Sequence, residues 1–324
     1  MKGLKMKDLK DKFKRAGGVQ ILKQYAKAHV LGYAMLQAAL NGTSQKSLEI
    51  VRLSVNNKVL GKLRKKYSDY IREYLTREGQ KAPKERVRTD HIWILWLDGL
   101  DSAPEVVKAC VRSVTEHFPD KKVHILTEDN YREYVTFPPF IQEKIDSGVI
   151  SKTHMSDLLR LELLIRYGGT WLDATVFCSS PVVPDYMMDS DLFLFQDLKP
   201  GWDGHCQRIS SWMITACTGN PILRLTRALL YEYWKKNTKM ADYFLFHDFF
   251  ELAIEAYPEE WKKVIPCSNA APHILLLRLF EPCDARVWDA VRGMTPFHKL
   301  SYKFDDEKAR IPGTYYRKLM DGQE

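Results

Sequence analysis

The segment YGGTWLDATVFCSSP, residues 167–181, places Asp173 among small and apolar residues directly after a double glycine. Residues 170–177 of this segment predict a buried strand, with Asp173 near its inner end. Ligands of open α/β sheets bind beyond the carboxyl ends of strands. We therefore expect Asp173 to face a ligand on a rigid backbone, with the capping of a turn as the alternative.

The residues before the double glycine form the clearest helix in the chain, predicted over residues 151–169. Asp157 and Arg160 lie three residues apart and therefore share one face of that helix. Two carboxylates and a guanidinium are expected to meet near one crevice, unless Asp157 and Arg160 form only a surface ion pair. Carboxylates accept hydrogen bonds from hydroxyls and Arg binds phosphate through two N–H groups, so this set suits a nucleotide-sugar.

The flanking segments predict an α/β domain over residues 89–324. Residues 91–97, HIWILWL, are apolar on both faces, which indicates a buried strand. Ser102 and Glu105 predict a capping box at the start of the following helix, and residues 121–127 predict a second strand. A strand, a helix and a strand in this order indicate a parallel βαβ unit. Further strands are expected at 190–196 and 210–216, and a helix at 221–237.

Residues 1–88 predict a basic helical extension, joined to the domain by a polar linker at 79–89. Residues 1–90 contain 22 Lys and Arg against 8 Asp and Glu, a net charge of +14, and the remainder carries −6. A Lys-rich amphipathic region suits anionic lipid headgroups better than nucleic acid, because no recognition module or aromatic interleaving is present. A solvated helical face without a partner is the alternative.

Six cysteines occur without a C-x-x-C pair, which predicts free thiols, buried in the core, in a reducing compartment. No apolar segment follows the basic N-terminus at the spacing of a signal peptide, and residues 28–40 are too short to span a bilayer. We expect a cytoplasmic protein, located at the inner face of the cell membrane if the basic extension contacts lipid.

The segment MSDLLRLELLIRYGGTWLDATVF, residues 155–177, resembles the central signature of the capsular polysaccharide synthesis glycosyltransferases, which are related to the DXD-motif sugar transferases. The resemblance continues in residues 92–114, 210–234, 242–250 and 296–303 and covers residues 89–303. It implies a GT-A-type fold, that is, a Rossmann-like mixed, mostly parallel sheet with helices on both faces. It also implies hexosyl transfer from a UDP-linked nucleotide-sugar to a glycan acceptor. The expected role is capsular or other cell-surface polysaccharide synthesis, with a lipid-linked acceptor if the protein works at a membrane.

The resemblance also implies roles for individual residues. Trp96 matches an aromatic residue that stacks on the nucleotide base, and Asp157 and Arg160 match residues that hold the donor sugar and its diphosphate. Asp173 matches the first aspartate of the DXD motif, which contacts the ribose and the metal shell.

Thr175 departs from the family pattern, because the third DXD position is normally an aspartate. A hydroxyl is a far weaker ligand for Mn²⁺ or Mg²⁺ than a carboxylate. Either another residue completes a metal site with Asp173 and Thr175, or a basic group replaces the cation at the diphosphate. His298 and Lys299 are the candidates, and a purely structural role for His298 is equally open.

Inversion at the anomeric carbon would also require a base, and His247 and Asp248 are the candidates, with core packing as the alternative. Retention would need no such base. Two other functions remain open at this point: a degenerate protein that binds a nucleotide or glycan without turnover, and a glycosyltransferase that acts on a protein acceptor.

Overall fold

A computed structural model describes residues 18–78, 86–198 and 206–322 of the chain. The strands are β1 (His91–Leu95), β2 (Lys122–Leu126), β3 (Gly169–Asp173), β4 (Val176–Cys178), β5 (Leu192–Gln196), β6 (Ile209–Ala216) and β7 (Phe297–Lys299). The α-helices are α1 (Gly18–Lys27), α2 (Leu31–Asn41), α3 (Gln45–Glu78), α4 (Glu105–His117), α5 (Tyr131–Tyr134), α6 (Pro139–Asp146), α7 (Lys152–Tyr167), α8 (Asp185–Met188), α9 (Pro221–Lys236), α10 (Leu245–Ala256), α11 (Pro258–Trp261), α12 (Ile274–Arg278), α13 (Ala285–Met294), α14 (Asp306–Ala309) and α15 (Tyr315–Met320).

A five-stranded sheet in the order β2-β1-β3-β6-β5 forms the centre of the molecule. Strand β1 runs parallel to both β2 and β3, whereas β6 is antiparallel to both β3 and β5. Every strand of this sheet except β6 therefore points in one direction, which confirms the predicted mixed, mostly parallel α/β architecture. Strands β4 and β7 form a separate antiparallel pair.

The sheet is buried on both faces because its side chains alternate along each strand. On one face, Trp93 and Trp171 belong to a hydrophobic cluster with α7, α9 and α10. On the other face, Ile94 and Leu172 belong to a second cluster with α4 and the C-terminal helices. Helices thus cover both faces, as predicted.

The N-terminal helices continue the first of these clusters. Leu60, Leu63 and Tyr67 of α3 are buried, and the Tyr67 ring packs edge-on against Phe249 of α10 at 5.0 Å. The predicted linker falls mainly on residues 79–85, outside the described residues. The boundary between an extension and a domain near residue 88 stays a prediction.

The double glycine allows α7 to pass directly into β3. Gly168 has φ +69° and ends the helix, and Gly169 follows with φ +90°. A Cβ atom at Gly169 would lie 2.2 Å from the carbonyl oxygen of His91 in the neighbouring strand β1. Only glycine fits there. This close approach fixes the position of β3 relative to α7, and with it the position of Asp173.

Two local predictions were wrong. Ser102 does not cap α4: Pro104 is the N-cap residue, without a side-chain hydrogen bond, and the Ser102 hydroxyl donates to the Asp98 carbonyl. Residues 170–177 are not one strand, because a turn at Ala174 and Thr175 separates β3 from β4, which pair in different sheets.

All six cysteines are free thiols. Cys110, Cys178 and Cys217 are buried, as expected, whereas Cys206, Cys267 and Cys283 are only half-buried. Among the described residues, no helix combines the length and the apolar composition needed to cross a bilayer.

Candidate active site

Asp173 lies at the carboxyl end of β3, where both of its carboxylate oxygens are engaged. The Trp171 indole donates to Oδ1 at 3.1 Å, and Lys299 Nζ lies 3.0 Å from Oδ2. The Asp173 side chain is still 31% exposed, so a ligand can reach it. Burial alone would raise the pKa of Asp173, but the positive charges of Lys299 and Arg160 outweigh burial and hold the pKa below its ordinary value.

Arg160 links the two predicted carboxylates. Its Nη2 atom lies 3.4 Å from Asp157 Oδ1 and 3.6 Å from Asp173 Oδ1. Arg160 is 4% exposed, and its Nη1 atom donates to the carbonyl of Ser211 at 2.6 Å. Its charge is further accommodated by the Trp171 ring, 4.9 Å away. Arg160 is thus fixed beneath the carboxylates, and the predicted convergence of Asp157, Arg160 and Asp173 is observed.

Asp157 is held from its other side by a buried histidine that the sequence analysis missed. His154 Nδ1 lies 3.2 Å from Asp157 Oδ2, and the Trp234 indole donates to His154 Nε2 at 3.0 Å. Because an indole N–H can only donate, Nε2 must be the acceptor, and the proton of the neutral ring sits on Nδ1. His154 therefore donates to Asp157, which orients the carboxylate from the helix that carries it.

Lys299 reaches the site because β7 pairs with β4, directly after the turn that follows Asp173. Its Nζ atom donates to Thr175 Oγ1 at 2.6 Å as well as contacting Asp173. An ammonium group thus occupies the position between Asp173 and Thr175 where a divalent cation would bind both. Among the described residues, no group of three His, Cys, Asp or Glu side chains is arranged to hold a metal. The residues as placed do not fit a metal centre.

His298 does not join Lys299, because successive residues of β7 point to opposite faces. The ring is fully buried, and its Nε2 atom lies 2.9 Å from Ser179 Oγ. Burial lowers the pKa of His298 to about 4. The described contacts of His298 fit the structural alternative rather than a place beside Asp173 and Thr175.

Trp96 follows β1 and is half-buried, with its ring edge-on to Tyr302 at 5.3 Å. Its indole Nε1 is buried and has no hydrogen-bond partner. Tyr302 follows β7 closely, so Trp96 lies against the loop that continues from Lys299. Stacking of a nucleotide base on Trp96 stays a prediction.

His247 and Asp248, the predicted bases, differ sharply in their surroundings. His247 is half-buried, and burial lowers its pKa to about 4, with Asp157, Arg160 and Asp173 acting on it electrostatically. Asp248 is fully buried, Gln207 donates to its Oδ1 at 2.9 Å, and burial raises its pKa well above the ordinary value. Of the two, His247 is therefore the better candidate for a neutral acceptor, whereas Asp248 lies in the core, where burial disfavours its charged form.

Comparison with known proteins shows similarity to a protein family, to a curated enzyme and to a solved structure. The family model described as "Capsular polysaccharide synthesis protein" matches residues 41–319, so the match begins within the N-terminal helices, ahead of the predicted domain start at residue 89. O-glycosyltransferase braB of Annulohypoxylon truncatum is 26% identical over 168 residues, covering 46% of this chain and 39% of that protein. The chain thus spans about two fifths of that relative. The solved structure "PaToxG Glycosyltransferase" is 16% identical, with a TM-score of 0.35 over 82% of this chain and 97% of that one.

Proposed function

This chain belongs to the capsular polysaccharide synthesis protein family, and from that premise we propose that it is a glycosyltransferase with a nucleotide-sugar donor. One observation carries the proposal: Arg160 and Lys299 hold the carboxylates of Asp157 and Asp173 at the carboxyl end of β3. Sugar hydroxyls pair with carboxylates, and a diphosphate pairs with cations. The sheet order with helices on both faces supports a GT-A-type arrangement of this site.

In the proposed mechanism, the bond between the anomeric carbon and the diphosphate oxygen breaks, and negative charge develops on that oxygen. Fixed cations stabilise such a leaving group without reorganisation during the reaction. Lys299 is the best placed because its side chain is 19% exposed, whereas Arg160 is buried beneath the carboxylates. We assign Lys299 to the diphosphate, and Arg160 to positioning Asp157 and Asp173.

Asp157 and Asp173 then accept hydrogen bonds from hydroxyls of the donor. His154 and Trp171 each donate to one of these carboxylates, which restricts the carboxylate rotamers before the donor arrives. Trp96 is assigned to the base, and a UDP-linked donor remains the proposal for its identity. A bound Mn²⁺ or Mg²⁺ would require Lys299 to withdraw from Asp173 and Thr175.

The proposed acceptor is a hydroxyl of a glycan, in capsular or other cell-surface polysaccharide synthesis at the cytoplasmic face of a membrane. An acceptor hydroxyl on a protein is compatible with the same site. If the anomeric centre inverts, His247 takes the acceptor proton, because its ring is neutral and interacts electrostatically with Asp157 and Asp173.

Release of nucleoside diphosphate from UDP-, GDP- and CDP-sugars tests the proposal, measured with and without Mn²⁺ or Mg²⁺. We expect release of nucleoside diphosphate from donors of one nucleotide class. Asp173→Asn should lose this release, whereas the matched control Asp306→Asn, on α14 and far along the chain, should retain it. A fall of roughly 100-fold or more is expected for a group that contacts the donor in the transition state.

No release from any donor, combined with a nucleotide-dependent rise in thermal stability, would instead support a protein that binds nucleotide without turnover. The same rise in Asp173→Asn as in the wild type would show that the nucleotide binds elsewhere. Thermal shifts with nucleoside diphosphates alone therefore locate the site independently of catalysis.

A further inference from the structure

Helix α2 presents its large apolar side chains to solvent. Its sequence, LGYAMLQAALN, contains no charged residue. Met35, Leu36 and Leu40 are 64%, 56% and 72% exposed, whereas the buried residue of the helix is Ala34. Positions 35, 36, 39 and 40 share one face of a helix. Ala34 thus faces the core, while Met35, Leu36 and Leu40, which are larger, face water, the reverse of the usual arrangement of a surface helix.

The helix packed against α2 adds to this surface. Tyr33 Oη lies 2.6 Å from Ser54 Oγ of α3, which fixes how the two helices pair. Near that contact, Ile50 and Leu53 of α3 are 53% and 39% exposed. Large apolar side chains exposed on both helices of one hairpin are typical of an interaction surface. We call Met35, Leu36, Leu40, Ile50 and Leu53 the apolar surface.

The charges around the apolar surface are almost all positive. Lys46, Arg52 and Lys58 of α3 are exposed, and Glu49 is the single acidic residue among residues 18–66. A second copy of the chain on this surface would bring like charges together, which costs free energy. An anionic surface would pair with them instead.

A cleft beside the start of α2 carries further cations. It has a volume of about 570 Å³ and is lined by five lysines and no acidic residue: Lys27, Lys62, Lys66, Lys236 and Lys239. Lys62 Nζ donates to the carbonyls of Ala28 and His29, which connect α1 to α2. Lys236 Nζ is paired with Glu232 at 2.6 Å, which leaves the ammonium groups of Lys27, Lys66 and Lys239 for phosphate oxygens.

We propose that the hairpin of α2 and α3 is an interfacial membrane-docking surface. The apolar surface inserts among the acyl chains at the headgroup boundary, and the surrounding cations and the lysine-lined cleft bind phosphate groups of anionic lipids. An apolar face flanked by lysines is the arrangement that binds a bilayer from one side. Docking of this kind goes beyond the proposed transfer reaction and does not depend on it.

Sedimentation of the full chain with vesicles tests the proposal without any turnover. We expect binding to phosphatidylcholine vesicles that contain phosphatidylserine, little binding to phosphatidylcholine alone, and weaker binding at high salt. Leu36→Glu combined with Leu40→Glu should lower the partition coefficient at least about tenfold, because charged residues replace inserted leucines. The matched control is Val182→Glu combined with Leu277→Glu, whose side chains are 81% and 79% exposed outside this hairpin.

Absence of vesicle binding by the wild type, or equal binding by the two double variants, overturns the proposal. So does a dimer of the wild type that becomes a monomer in the Leu36→Glu, Leu40→Glu variant without any lipid binding, since the occupant is then a second copy. A third contrary result combines two measurements. If vesicles do not bind, while inorganic pyrophosphate stabilises the wild type but not Lys27→Glu with Lys239→Glu, the cleft serves a free anion and the proposal is overturned. Unchanged thermal unfolding of each exposed variant checks the fold.

Discussion

Lys299 Nζ lies 3.0 Å from Asp173 Oδ2, so an ammonium group from β7 neutralises the carboxylate at the end of β3. The same ammonium donates to Thr175, the residue that replaces a metal-binding aspartate of the related pattern. Lys299 therefore contacts the same residue, Thr175, at which the chain lacks the metal-binding carboxylate. The ammonium group of Lys299 is the fixed positive charge at this position.

The first prediction concerns the pH profile of donor hydrolysis. Lys299→Ala removes the nearest positive charge from Asp173, so the pKa of Asp173 should rise and the acidic limb of kcat/KM should move to higher pH. Lys308→Ala, an exposed lysine on α14, is the control and should leave the limb in place. A profile of Lys299→Ala that superimposes on the wild type would show that Lys299 does not act on Asp173.

The same contact affects stability with a definite sign. Since the pKa of Asp173 is lower in the folded chain than in the unfolded one, its ion pair stabilises the fold above the ordinary aspartate pKa. That contribution is lost as the pH falls through the lowered pKa. Denaturant unfolding of Lys299→Ala should therefore differ from the wild type at neutral pH and converge with it in acid.

The second prediction tests the support of Asp157 by His154. His154→Phe leaves the Trp234 indole and one oxygen of Asp157 without partners in the core, which costs about 1–3 kcal/mol of unfolding free energy. It should also raise KM for the donor more than it lowers kcat, because Asp157 is assigned to donor binding. Trp234→Phe keeps the contact between His154 and Asp157, so its effect on KM should be smaller. Equal KM values in the two variants would contradict this account.

The third prediction concerns the passage from α7 to β3. Gly169→Ala places a Cβ against the His91 carbonyl and forces φ +90° on a residue with a side chain. The cost should be about 3 kcal/mol or more. Gly148→Ala is the matched control: its φ is +73° and no atom lies within 4 Å of the added Cβ. It should cost about 1 kcal/mol. Urea unfolding of both variants gives the comparison, and equal losses would mean that the carbonyl moves aside.

The fourth prediction separates the two candidate bases. Asp248→Asn replaces a fully buried carboxyl, whose charged form burial disfavours, by an amide of the same shape, so kcat should stay within about twofold. His247→Ala should lower kcat by roughly 100-fold if His247 accepts the acceptor proton. The measurement is transfer to an acceptor, with donor hydrolysis followed in parallel. A larger loss in Asp248→Asn than in His247→Ala would reverse the assignment, and retained transfer in both variants would favour retention of configuration.

The part of the site that follows from local spacing was predictable from the sequence. Asp157 and Arg160 share a helix face, and Asp173 ends the next strand, so their convergence depends on one helix and one turn. Trp171 was also within reach, since it lies two residues before Asp173 and therefore on the same side of β3. Lys299 was suggested only by the family resemblance, since its position depends on the pairing of β7 with β4.

The contacts that depend on packing between distant elements were not predictable. Trp234 reaches His154 because α9 packs on α7, and no local pattern encodes the angle between those helices. The burial of Asp248 likewise depends on which side of α10 meets Gln207. Alternation along β7 is a signal that the sequence does contain: neighbouring residues of a strand point to opposite faces, so His298 and Lys299 cannot serve the same site.

The fifth prediction uses His298 as a reporter of acid unfolding. Its pKa is about 4 in the folded chain because burial disfavours the charged ring, against an ordinary value of 6.5. Between these values the unfolded chain binds a proton that the folded chain does not, so the unfolding free energy must decrease as the pH falls through this window. The full effect is about 3 kcal/mol for one such histidine.

His298→Gln removes the titrating ring and should flatten the pH dependence of the unfolding free energy between roughly pH 6.5 and 4. His29→Asn, at an exposed position, should not. The pKa values of His247, His91 and His124 are lowered in the same direction, so a residual slope remains, and His247→Gln should reduce it further. A His298→Gln variant that keeps the full slope would show that His298 takes up a proton in the folded protein.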